Sequence, residues 1–225
     1  MLTFPESPTV FDQLGIVVGI EAEARIASRL APLVEVGGGG AEGAAAATSR
    51  LIAKGARTLL SFGLAGGLDP TFAPGDLLVP DVILSTDGHW PTDPRLGAIL
   101  GRVGGALFSG GVVVATAAAK RALYARTGAA AVDLESAAVA EQAARRAIPF
   151  AAFRAICDPA ARSLPRAALV ALDPEGRIGV GRVLREVLAH PGELPSLLAL
   201  ATDAARARRA LATRVSAIRR DAALA

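Results

Sequence analysis

The chain has 225 residues, 52% of them apolar and only 4% aromatic, with a formal net charge of +3. That length suits one α/β domain spanning residues 1–225, with a core built from Ala, Val, Leu and Ile. One cysteine, Cys157, excludes an internal disulfide framework, and with two histidines it leaves too few soft ligands for a zinc site, so no metal is expected. No apolar run of about 18 residues is free of charge, which argues against a membrane-spanning helix. The first residues lack the basic-then-apolar pattern of a secretory signal, so a cytoplasmic location is expected. The positive charge is local: residues 201–225 hold six arginines against two aspartates, with no aromatic among them. Stacking on bases needs aromatic faces, so nucleic acid is not an expected partner.

Apolar runs of strand character fall at 14–19, 33–36, 58–63, 76–84, 110–115, 129–134 and 150–156. Runs of helical character fall at about 21–31, 41–54, 117–127, 135–147, 180–189 and 194–220. Such alternation predicts a mostly parallel sheet covered by helices. Gly37 to Gly40 reads as a turn for close approach. Residues 85–94 are polar with two prolines and read as a loop; 163–179 reads as a mobile segment around a short helix. The last helix carries a stripe of Leu197, Leu200, Ala204, Ala207, Leu211, Val215 and Ile218, spaced as one buried face requires. Its arginines lie mostly off that stripe. They read as a solvated face, or as contact with an anionic membrane surface.

Charged residues appear where apolar strands end, in 132–140 (VDLESAAVA) and 154–158 (RAICD). Charges are costly to bury unless paired, so their placement needs a reason. In open α/β sheets ligands bind beyond the carboxyl ends of strands, where Glu135, Arg154 and Asp158 are expected. Each has a plainer reading. Asp158 precedes Pro159, a common turn pair. Glu135 suits a first helical turn, as do Glu21 and Glu23. Arg154 suits a structural ion pair.

These blocks resemble the nucleoside phosphorylase/nucleosidase superfamily, in the branch of methylthioadenosine/S-adenosylhomocysteine nucleosidases. Three further blocks are similar, in the family's order: 15–23 (GIVVGIEAE), 63–68 (GLAGGL) and 74–80 (PGDLLVP). The resemblance runs from about residue 14 to 190. Within the superfamily the chain most resembles the hopanoid-associated phosphorylases. The resemblance implies a three-layer fold of the purine nucleoside phosphorylase type, with a central mixed, mostly parallel sheet flanked by helices. It implies an enzyme that cleaves the N-glycosidic bond of a 5′-substituted adenosine, releasing adenine. Adenosylhopane is the implied substrate, within hopanoid biosynthesis. The alternatives are a methylthioadenosine/S-adenosylhomocysteine nucleosidase and a non-catalytic nucleoside-binding module.

Such cleavage needs an acid for the leaving base, a carboxylate on the ribose hydroxyls, and a base for the nucleophile. The resemblance assigns these to Asp158, Glu135 and Glu23, with Arg154 supporting. It places Leu134 against the sugar, and Gly63, Leu64, Ala65, Gly66, Ile20 and Thr116 around the substrate. Asp133 is expected to face away. Three departures stand out. Leu64 stands where nucleosidases carry a serine, Cys157 replaces the serine before the aspartate, and no phenylalanine lies near Thr116 to stack on adenine. Glu21 and Glu23 would repel phosphate and no arginine lies in 61–68, which argues for water as nucleophile. The phosphorylase likeness argues for inorganic phosphate as a co-substrate. No other cofactor is expected. The expected partners are a small nucleoside, lipid-linked in the hopanoid case, and further copies of the chain as a homo-oligomer.

Overall fold

A computed structural model describes residues 11–101, 104–169 and 180–224. In chain order the elements are β1 (Leu14–Val18), α1 (Glu21–Ala27), β2 (Leu33–Val36), α2 (Ala41–Ala53), β3 (Thr58–Gly67), β4 (Leu77–Leu78), β5 (Val82–Leu84), β6 (His89–Pro91) and α3 (Pro94–Leu100). There follow β7 (Ala106–Ser109), α4 (Ala117–Thr127), β8 (Ala131–Asp133), α5 (Ser136–Ala144), β9 (Phe150–Asp158), α6 (Arg166–Leu169), α7 (Val180–Ala189) and α8 (Leu194–Leu224). The sheet runs β2-β1-β3-β8-β7-β5-β6, with β9 on β3 and β4 on β9. Five of its pairings are parallel and three antiparallel, so the sheet is mixed and mostly parallel.

Ten-residue β3 organises the site. One edge pairs with β9 along most of its length. The other edge pairs with β1 over Thr58–Phe62 and with β8 only at Gly66 and Gly67. Between them, around Leu64, that edge has no strand partner among the described residues. Helices cover both faces, giving three layers. On one side, Ala207, Leu211, Val215 and Ile218 of α8 pack with Leu96 and Leu100 of α3 and Ala27 of α1 against β1, β3 and β9. On the other, Ala44, Ala47 and Leu51 of α2 meet Val139, Ala140 and Ala143 of α5. With almost no aromatic bulk available, alanine faces let these helices lie close to the sheet and to each other.

The structure shifts several predicted boundaries. Pro80 lies between β4 and β5, and a proline lacks the N–H that a continuous strand would use. The seventh strand lies at 106–109 rather than 110–115: Leu107, Phe108 and Ser109 pair with Ala131, Val132 and Asp133. The apolar run after it stays out of the sheet, leaving Val112 76% exposed. Residues 85–94, read as a loop, contain β6, which pairs back on β5. Unpredicted α3 starts at that segment's end, where Asp93 accepts from the N–H groups of Arg95 (2.8 Å) and Leu96 (3.1 Å). The segment 163–179 contains α6; residues 170–179 lie outside those described. No helix among the described residues is long and apolar enough to cross a membrane.

Candidate active site

A cavity of about 390 Å³ opens at the carboxyl ends of β1, β8 and β9 and beside the end of β3. Its polar end holds Glu23, Asp133, Glu135, Arg154 and Asp158, side chains that the sequence scatters over 136 positions. Ile20, Leu64, Ala65, Gly66 and Leu134 line it as expected. Gly63 lies beneath, outside the lining. Thr116 is a correction: its hydroxyl accepts from the Ala119 N–H (3.1 Å) as the N-cap of α4, and it does not line the cavity.

Glu23 occupies the first turn of α1. Its Oε2 accepts from the N–H groups of Gly19 (3.0 Å) and Ile20 (3.2 Å), and Oε1 from Leu64 (2.8 Å). The last bond fills the unpaired stretch of the β3 edge. Gly63 makes room for this: its φ is +151°, and a Cβ there would lie 2.6–2.8 Å from the Glu23 carboxyl atoms. Burial raises the Glu23 pKa, opposed by the Arg154 charge and the three N–H donors.

Arg154, 1% exposed, stands on β9 beside Gly63. Its Nε donates to Asp133 Oδ2 (2.8 Å), and its Nη2 to the hydroxyls of Ser61 (2.6 Å) and Ser136 (3.0 Å). The Ser136 hydroxyl donates to Asp133 Oδ2 (2.5 Å). Glu135 Oε2 is farther from Nη2, at 3.5 Å. Asp133 therefore faces the site rather than away from it, as the principal partner of Arg154. The ion pair read as the plain alternative for Arg154 exists, and it is part of the site. Glu135 sits at the N-cap position of α5, which starts one residue later than the expected helix at 135–147. Only 13% of its side chain is accessible, towards the cavity. Burial pushes its pKa up to about 7; Arg154 opposes the shift while Asp133 and Glu23 add to it.

Asp158 ends β9. Its Oδ2 accepts from the Lys120 ammonium, whereas Oδ1 has no hydrogen-bond partner among the described residues. Burial raises the Asp158 pKa, with Lys120 and Arg162 opposing and Asp203 adding. Lys120, Ser61 and Ser136 escaped the sequence reading. A signal existed for two of them. Lys120 is one of two lysines and follows three alanines, and Ser61 interrupts an apolar strand. The rest of the wall is apolar, including Val113 and Val114 after β7 and Leu197, Leu200 and Ala204 on α8. No aromatic lines the cavity among the described residues. The upper half of the predicted α8 stripe thus faces the cavity, and only its lower half is core.

Such a site can hold a polyhydroxylated ligand at its acidic end and an apolar substituent along α8. Comparison with known proteins gives the same frame. No curated protein matches the sequence significantly. Among solved structures, the chain is similar to a 5′-methylthioadenosine/S-adenosylhomocysteine nucleosidase of Helicobacter pylori complexed with a substituted pyrrolidin-3-ol (TM-score 0.64, 20% identity, 92% of this chain and 98% of that one). It is equally similar to futalosine hydrolase of the same organism (TM-score 0.64, 20% identity, 92% and 98%). An S-adenosylhomocysteine nucleosidase of Streptococcus pyogenes follows (TM-score 0.63, 18% identity, 90% and 95%). At these identities the likeness is one of fold. The family described as the phosphorylase superfamily matches residues 21–99 and 96–189. Spanning most of the sequence, that match makes the chain an enzyme of the phosphorylase superfamily.

Proposed function

We propose that the protein hydrolyses the N-glycosidic bond of a 5′-substituted adenosine and releases adenine. The observation that carries this reading is one cavity holding Asp158, with a buried carboxyl oxygen that has no hydrogen-bond partner among the described residues, together with Glu135 and a backbone-clamped Glu23. Asp158 gives a proton from Oδ1 to the base as the C1′–N bond breaks and its electrons leave with adenine. Glu135 accepts from the ribose hydroxyls and sets negative charge beside the cationic sugar. Glu23 takes a proton from the water that adds to C1′. Arg154 touches none of the reacting atoms in this scheme; it ties Asp133 and Glu135 in place. The chain's own groups supply every proton transfer, so the reaction asks for no cofactor.

Water fits better than phosphate. Arg154 is the only cation lining the cavity among the described residues, and its Nε and Nη2 are engaged by Asp133, Ser61 and Ser136. A phosphate dianion would meet Glu23, Asp133 and Glu135 around a guanidinium already paired with Asp133. The apolar wall of Leu197, Leu200 and Ala204 suits an apolar 5′ substituent, and adenosylhopane is our proposed substrate. Adenine release should be followed from adenosylhopane in detergent and from methylthioadenosine, each with and without phosphate. Release from adenosylhopane, unchanged by phosphate and reduced about 10²–10⁴-fold in Asp158→Asn, is the expected result. Release from methylthioadenosine alone would move the substrate to the small thionucleosides. Ligand binding without release from either would make the protein a nucleoside-binding module.

A further inference from the structure

Lys120 lies outside the cavity lining yet touches its acid, and it is fully buried at 0% exposure. It belongs to the first turns of α4, a helix that otherwise packs through Leu123. A lone buried ammonium is costly, so its partners are informative. Nζ donates to Asp158 Oδ2, to the carbonyl of Pro159 (3.0 Å) and to the carbonyl of Arg162 (2.9 Å). An ammonium has three N–H donors and a neutral amine has two. Three acceptors around one nitrogen are satisfied only by the charged form.

The two oxygens of Asp158 are thereby made unequal. Oδ2 is occupied by a donor that cannot accept a proton, and Oδ1, also buried, has no hydrogen-bond partner among the described residues. We propose that Lys120 is a positioning residue for the acid: it locks the Asp158 carboxyl, confines the transferable proton to Oδ1, and keeps that proton labile on a buried carboxyl. The inference rests on the reading of Asp158 as the acid that protonates the leaving base. Without the lysine charge, burial alone would hold the proton too tightly for efficient transfer. The other charges facing the acid are Arg162, in the turn after β9, and Asp203 on α8, which are bound to each other (2.5 Å). The neighbouring Cys157 thiol is pushed up to about 12, chiefly by burial, and stays neutral.

Two variants separate charge from shape. Lys120→Met removes the donors and the charge; Lys120→Gln removes the charge and keeps two of the three donors. The Asp158 carboxyl is titrated directly by carbon-13 NMR of labelled aspartate, its signal assigned by its loss in Asp158→Asn. In both variants the midpoint should rise by about one pH unit or more, a tenfold change in proton affinity. The alkaline limb of the pH–rate profile for adenine release should move up with it while the plateau rate falls. A purely structural lysine would lower the melting temperature and leave the Asp158 midpoint unmoved, and that result overturns the proposal. A raised midpoint in a protein whose wild type releases no adenine would uphold the Lys120–Asp158 pairing and overturn the hydrolase reading instead.

Discussion

Glu135 shows how one carboxyl couples binding to folding. Its pKa is pushed up to about 7 from an ordinary 4.5 by burial first, so the folded state binds its proton more tightly than the unfolded chain does. The contribution to stability is therefore fully present below about 4.5 and is lost as pH rises through about 7. Binding runs the opposite way, because only the carboxylate accepts from both ribose hydroxyls. KM for the nucleoside should rise as pH falls below about 7, whereas Glu135→Gln should show a uniformly high KM with no such slope. Steady-state kinetics across pH 5–9 tests this; equal slopes in both proteins would remove Glu135 from the ribose. This residue and Asp158 were legible because acids at apolar strand ends need a reason, and Glu23 was legible through the family resemblance of the block 15–23. Asp133 was misjudged. It lies two residues before Glu135, so a strand's period of two already puts both on one face, and both line the cavity. Lys120 was illegible as a partner because its contact with Asp158 spans 38 residues and forms only when α4 docks.

At the scale of elements, α8 carries one stripe with two destinations. Leu211 is fully buried against the sheet, whereas Leu200 is half-buried and lines the cavity. Leu211→Ala should cost about 2–5 kcal/mol in urea unfolding, as expected for a cavity left in a packed core. Leu200→Ala should cost under about 1.5 kcal/mol and act on KM for substrates with apolar 5′ groups. Equal stability losses would mean that the cavity wall is core after all. The helix itself was legible from its spacing. Its partition was not, because periodicity reports which side is apolar and not what stands opposite. The same limit explains residues 110–115, whose valines looked like a strand, although Val113 and Val114 line the cavity instead. The start of α3, Asp93-Pro94, was present in the sequence but was absorbed into the loop reading of 85–94, and its C-cap Gly101 was not read as a helix end.

For the molecule as a whole, the basic C-terminal segment and the apolar rim are separate features. Arg214 donates to the carbonyl of Leu100 (3.0 Å) and Arg219 lies over the Phe11 ring (5.6 Å), so part of the positive charge serves packing. Leu194 and Leu198, 41% and 59% exposed, flank the cavity-lining Leu197 at the start of α8, and Leu169 adjoins the lining Ala168. If an apolar substrate is drawn from a bilayer, this rim is the surface that meets it. Leu198→Asp should then weaken flotation with anionic liposomes severalfold while methylthioadenosine binding stays unchanged. Unaltered flotation would detach the rim from any membrane role. The divided stripe of α8 also has a consequence for descent. Positions 197, 200 and 204 can drift with the shape of the ligand's tail while 207, 211, 215 and 218 hold the fold. A lineage could therefore exchange one nucleoside for another without passing through an unfolded ancestor.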